Sequence, residues 1–204
     1  MTTVSEALHH AVSRLHSQDQ ARLDAEVLLA HALQKPRSYL HAWPEAELSD
    51  ETANRYAALI RQRAEGRPVA YLTGHREFWS LDFEVDAATL IPRPETELLV
   101  EQALTLLPAT APLDVADLGT GSGAIAIALA HQRPAWRLYA VDRSRDCLEI
   151  AGRNARRLGT GNVTFINGNW CQAFTDASLD ALVSNPPYVA DGDPHLGQGD
   201  VRFE

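Results

Sequence analysis

The chain has 204 residues, 45% of them hydrophobic, and a formal net charge of −9. That is enough apolar material for a sizeable core in one or two domains. The acidic balance argues against a protein that grips nucleic acid through its phosphates. No apolar run approaches the roughly 18 residues of a membrane span, and the opening MTTVSEALHHAVSRLHSQDQ lacks the basic and apolar regions of a secretory signal.

Residues 1–75 read as a small helical unit. TVSEALHHAVSRLHS places Val4, Leu8, Ala11, Val12 and Leu15 on one stripe at helical spacing. DQARLDAEVLLAHAL does the same with Leu23, Val27, Leu28, Ala30 and Leu33, and Lys35-Pro36 ends it. A third helix opens at Ser49, an N-cap residue followed by Asp50 and Glu51 where the helix dipole favours acids, and Gly66 closes it. The unit carries no catalytic signal and reads as a recognition or docking domain.

Residues 76–90 form a link. EFWSLDFEVD alternates with a period near two and predicts a short hairpin. From 91 to 204 the pattern becomes α/β. A helix starts at Pro94, with Glu95 and Glu97 in its first turn. Strands are expected at 113–118, 137–142, 163–166 and 180–184, and helices at about 123–132 and 144–158. Such alternation predicts a parallel sheet with helices on its faces. One local stretch is basic: between 131 and 160, seven arginines stand against Asp142, Asp146 and Glu149. It is either a solvated helix face or a docking patch for an acidic partner or RNA. Cys147 and Cys171 are too few for a disulfide framework or zinc site, and the eight histidines show no ligand spacing, so no metal is expected.

LDVADLGTGSGAIAIALA holds the clearest site signal. A strand runs into a loop containing Gly119, Thr120, Gly121, Ser122 and Gly123, and a helix of small apolar residues follows. Glycines let the backbone turn tightly and approach a ligand, and the helix start offers free N–H groups. About 20 residues on, LYAVD ends a second strand with Asp142, a carboxylate suited to two ribose hydroxyls. A dinucleotide cofactor fits this much as well. Two details tilt the balance. Asp117 precedes the loop, a form that resembles motif I of class I S-adenosylmethionine-dependent methyltransferases. Strand four then ends in Asn185-Pro186-Pro187-Tyr188, at the rim of the same crevice. An amide or arylamine nitrogen is a poor nucleophile because its lone pair is delocalised. Two fixed acceptors, the Asn185 side-chain oxygen and the Pro186 carbonyl, can hold an –NH2 group so that the lone pair meets a methyl donor. The prolines fix φ and bring no competing N–H, and Tyr188 offers a flat face to a planar group.

The stretches REFWSLDFEV, LIPRPETE, DLGTGSGAIAIALA, AVDRS, NGNW, SNPPYV and DPHLGQGDVRFE together resemble the HemK/PrmC family of protein-(glutamine-N5) methyltransferases. The resemblance spans 76–204, and the helical part is similar to the family's recognition domain. It implies a class I, Rossmann-like methyltransferase domain that transfers methyl from S-adenosylmethionine, leaving S-adenosylhomocysteine. The implied target is the glutamine of the GGQ motif in class I peptide chain release factors. It also implies cofactor contacts from Gly119–Gly123, Asp142, Asn169, Trp170 and Asn185. Asn169 stands where many relatives of the class have Asp. Asn185, Pro186, Pro187 and Tyr188 would hold the substrate glutamine, with Asn185, Pro186 and Tyr188 catalytic, and Arg93 and Glu95 would line the entrance. A cytoplasmic monomer without membrane or direct DNA contact is expected. The class I sheet has seven strands ordered 3-2-1-4-5-7-6, and this chain supplies four. The domain is therefore expected to be C-terminally incomplete, with strand four an exposed edge. NPPY alone also fits an N6-adenine methyltransferase acting on nucleic acid. The choice of glutamine rests on IPRPETE, DVRFE and the acidic charge balance.

Overall fold

The computed structural model describes residues 2–16, 19–186 and 202–203. The chain folds as two compact units that part between Thr73 and Gly74.

The first unit is helical: α1 (Val4–Arg14), α2 (Ala21–Leu33), α3 (Arg37–Ala42), α4 (Asp50–Ala64) and α5 (Val69–Thr73). Thr3 and Glu6 open α1 with a capping box, each side chain accepting from the other's backbone N–H at 3.2 and 2.9 Å. Ser49 caps α4 by accepting from the Thr52 N–H, as its sequence predicts. The core joins Val4, Leu8, Ala11 and Leu15 to Leu28, Leu29, Tyr56 and Ile60. In α2 the expected apolar stripe is only partly correct. Leu23 is exposed, whereas Asp24 and Glu26 are buried. The reason is pairing. Arg63 of α4 donates to Asp24 at 2.7 Å, and Arg22 and Arg37 reach Glu26 at 2.6 and 2.9 Å. Buried carboxylates persist when they are paired and hydrogen-bonded in this way.

The second unit begins with a hairpin, β1 (His75–Phe78) and β2 (Leu81–Glu84). Its turn residues Trp79 and Ser80 both have positive φ, 54° and 58°. Two-residue hairpin turns that match the strand twist need this geometry, normally supplied by Asn or Gly. Here Glu97 steadies the turn by accepting the Trp79 N–H at 2.8 Å. Phe78 and Phe83 of the hairpin sit in the same core as Val100, Ile127, Leu129 and Trp136.

After a 3-10 turn at Pro94–Thr96, the chain runs α6 (Glu97–Leu106), β3 (Asp114–Leu118), α7 (Ala124–Gln132), β4 (Arg137–Asp142), α8 (Arg145–Leu158), β5 (Val163–Asn167), a second 3-10 turn (Trp170–Ala173) and β6 (Ala181–Ser184). The observed strands fall within about two residues of the expected ones. The four strands pair in parallel in the order β5-β4-β3-β6. Counting strands from β3, that is 3-2-1-4, the arrangement the sequence resemblance implies. Helix α7 is apolar all round, and Ala124 to Ala130 are all buried. Trp136 is fully buried and donates its indole N–H to the Pro108 carbonyl at 3.2 Å.

The basic stretch is largely spent inside the unit. Arg137 pairs with Asp114, Arg153 with Glu84 and Arg157 with Asp82. Among the described residues, no helix is long and apolar enough to cross a membrane.

Candidate functional site

The carboxyl ends of β3, β4, β5 and β6 lie along one edge of the sheet, where ligands of open α/β sheets bind. Leu118 ends β3, and the loop 119–123 leads into α7. Gly119 and Thr120 both donate their N–H to the Val141 carbonyl, at 2.9 and 3.0 Å, which ties the loop to the end of β4. Gly119, Gly121 and Gly123 have φ of 76°, 55° and 83°. At Gly123 space matters as well. A Cβ there would stand 2.8 Å from Ile127 Cδ1 and 3.0 Å from Ala151 Cβ. This glycine therefore lets the start of α7 pack against α8.

Asp142, the last residue of β4, turns its carboxylate to the loop. One oxygen accepts from the Gly121 N–H at 2.9 Å and the other from the Ser144 N–H at 2.9 Å. The Asp142 carbonyl accepts from the Gly168 N–H at 3.1 Å and the Asn167 side chain at 3.1 Å. These contacts bring the segment after β5 alongside β4. Asn169 and Trp170 follow at once. Trp170 has φ of 50°, an uncommon value for an aromatic residue, and its side chain is exposed. Cys147 is buried at the start of α8, and Cys171 lies exposed beside Trp170.

Asp117 is placed differently from the other residues around the loop. It has no exposed surface, and its Oδ2 accepts from the Thr120 hydroxyl at 2.6 Å and the Ala126 N–H at 3.2 Å. Its Oδ1 is buried and has no hydrogen-bond partner among the described residues. In this structure Asp117 braces the loop from below. Burial pushes its carboxyl up to about 6, against the two hydrogen bonds and aided by nearby Asp142. The consequence for stability has a definite sign. The folded chain holds this proton more tightly than the unfolded chain, whose carboxyl titrates near 3.8. Stability is therefore lost as pH rises from about 4 to 6, by about 3 kcal/mol from this group. Wild type should lose that much relative to Asp117→Asn across the window in pH-dependent urea unfolding. A difference that stays flat with pH contradicts the assignment.

At the end of β6, the Ser184 hydroxyl donates to the Leu118 carbonyl at 2.7 Å, which seats Asn185 beside the start of the glycine loop. Asn185 is half-buried, and its Nδ2 donates to Thr96 Oγ1 at 3.3 Å. Pro186 is exposed; Pro187 and Tyr188 lie outside the described residues. From the stretch IPRPETE it is Thr96 that meets Asn185. Glu95 is exposed, and the Arg93 carbonyl accepts from the Thr96 N–H at 3.0 Å.

Sequence reasoning also passed over Asn154 of α8. This fully buried side chain accepts from the Glu84 N–H at 2.7 Å and donates to the carbonyls of Glu84 and Ser122 at 3.0 and 2.9 Å. A signal was available, because Asn154 interrupts the apolar stripe Ile150, Ala151 and Ala155.

The strand order is that of a class I methyltransferase. Residues 94–198 match the model of the methyltransferase small domain, and residues 6–74 match that of the PrmC N-terminal domain. The chain belongs to the release factor glutamine methyltransferase family. It is 49% identical over 202 residues to the release factor glutamine methyltransferase of Shewanella oneidensis, an alignment covering 98% of this chain and 70% of that one. The Escherichia coli K12 protein of that name is 48% identical over 197 residues, covering 97% of this chain and 71% of that one. The Xylella fastidiosa Temecula1 protein is 52% identical over 183 residues, covering 90% and 66%.

Proposed function

We propose that the chain transfers a methyl group from S-adenosylmethionine to the side-chain amide nitrogen (N5) of the GGQ glutamine in class I peptide chain release factors. The observation that carries this reading is the seat of Asn185: a carboxamide held at the end of β6, tied through Ser184 to the residue before the glycine loop. The family membership, with relatives named release factor glutamine methyltransferases, supports glutamine as the target.

The donor set on the sheet edge fits the cofactor. The loop 119–123 would take its amino-acid end, the Asp142 carboxylate its ribose hydroxyls, and the exposed Trp170 indole with Asn169 its adenine. When bound, the cofactor supplies an electrophilic methyl group on a sulfonium. Asn185 Oδ1 and the Pro186 carbonyl each accept one N–H of the glutamine amide. Held this way, the nitrogen turns its lone pair out of conjugation and along the line of transfer. With the methyl donor bound, the aligned lone pair would take the methyl carbon as its bond to sulfur breaks, and the now acidic nitrogen would give its proton to solvent. No strong base is needed at the site, because most of the rate comes from alignment.

The test is mass spectrometry of a release factor incubated with the chain and S-adenosylmethionine. One methyl is expected on the GGQ glutamine and none when that residue is replaced. Labelling of adenine in DNA or RNA instead would overturn the reading.

A further inference from the structure

We infer that Thr96 is a positioning residue that holds the Asn185 carboxamide with its oxygen presented to the substrate. The inference rests on the clamp role proposed for Asn185 and adds the group that makes the clamp work.

A carboxamide has two ends of nearly equal size and opposite chemistry. One accepts hydrogen bonds and the other donates two. The torsion that exchanges them is broad and roughly two-fold, so the side chain by itself does not choose. For a clamp on an –NH2 group the choice is decisive. With Oδ1 forward, Asn185 accepts a substrate N–H. With Nδ2 forward, two donors face each other and the nitrogen is pushed out of line. In the structure the end turned to Thr96 is Nδ2, which donates to Oγ1 at 3.3 Å, and among the described residues Oδ1 makes no hydrogen bond.

Both sides of this contact are braced. Thr96 closes the 3-10 turn Pro94–Thr96, where Pro94 fixes φ and the Thr96 N–H donates to the Arg93 carbonyl at 3.0 Å. The next residue, Glu97, begins α6 and accepts the Trp79 N–H at 2.8 Å, so the turn is fastened to the hairpin. On the other side, the bond from Ser184 to the Leu118 carbonyl fixes the backbone that carries Asn185. The contact spans 89 positions in sequence. It gives the PET stretch a role that local sequence cannot: it is the bracket against which the amide of the Asn-Pro segment is set.

The test pairs Thr96→Val, which keeps the shape and removes the hydroxyl, with Thr96→Ser, which keeps the hydroxyl. With release factor as substrate, Thr96→Val should lower kcat about five- to tenfold, the loss of one hydrogen bond's worth of alignment. Binding of S-adenosylmethionine by calorimetry should stay within about twofold of wild type in both variants, and Thr96→Ser should recover most of kcat. A merely structural role would instead lower cofactor affinity and stability together. Wild-type kcat in Thr96→Val overturns the inference. If the wild-type chain itself fails to label a release factor, the proposed function falls, and the contact is then read without turnover. The side-chain amide protons of Asn185 should shift in the NMR spectrum of Thr96→Val and return in Thr96→Ser; unchanged resonances overturn the inference.

Discussion

Asn185→Ala should lower kcat for glutamine methylation about a thousandfold, roughly 4 kcal/mol of transition-state stabilisation. The size follows from what is removed. An amide nitrogen is barely nucleophilic unless its lone pair is turned out of conjugation, and Asn185 supplies one of the two acceptors that would turn it. Removal of a single preorganised hydrogen-bonding group at a reacting centre costs two to three orders of magnitude in other enzymes. The loss should fall mainly on kcat. The loop 119–123 is held by β4 through the Val141 carbonyl, and Asp142 by Gly121 and Ser144, so neither depends on the Asn185 side chain. Cofactor affinity, measured by calorimetry, should therefore change by no more than about threefold, well under the 1.4 kcal/mol of a tenfold effect. Equal loss of turnover and of cofactor binding would contradict the clamp role and make Asn185 a cofactor ligand first.

The contrast between Asn185 and Thr96 marks how far the sequence could be read. Asn185 was legible because it ends an apolar run and is followed by two prolines, so its place at a strand end follows from local rules. The glycine loop and Asp142 were legible for the same reason, each lying at the foot of a strand. The β-strands were found because their apolar runs are bounded by Gly, Pro or Asp. Thr96 was not legible as a partner of Asn185. Its role depends on a contact 89 residues away, which no window of sequence contains. The misplaced stripe of α2 has the same cause. Leu23 is exposed and Asp24 buried because Arg63, 39 positions on, neutralises the carboxylate. The short helices α3 and α5, of six and five residues, are too brief to show a period. In the hairpin the alternation was visible, but its membership of the second core was not. That membership comes from Phe78 and Phe83 meeting α6, α7 and the sheet.

Asn154→Leu should destabilise the second unit by about 4 kcal/mol, because it strips partners from three buried or half-buried backbone groups at about 1–3 kcal/mol each, partly offset by the added apolar side chain. Leucine nearly matches asparagine in shape, so the change isolates the hydrogen bonds. The Glu84 N–H and the carbonyls of Glu84 and Ser122 would all be left unpaired. In a unit of this size the thermal transition should drop by about 15 °C. A neighbouring contact provides the comparison. Arg153 also reaches Glu84, at 2.6 Å and in bidentate geometry, but both side chains are more than a third exposed. Arg153→Met should therefore cost no more than about 1 kcal/mol. If the two variants proved equally costly, the exposed ion pair and not the buried amide would be what fastens the hairpin. The functional effect should run with the structural one. Ser122 lies in the glycine loop, and Asn154 is its link to β2, so Asn154→Leu should weaken S-adenosylmethionine binding while Arg153→Met leaves it unchanged. The buried amide thus joins the hairpin, α8 and the glycine loop into one piece. It bonds the glycine loop across a long stretch of sequence, as Thr96 bonds Asn185, each contact reaching a segment of the proposed site.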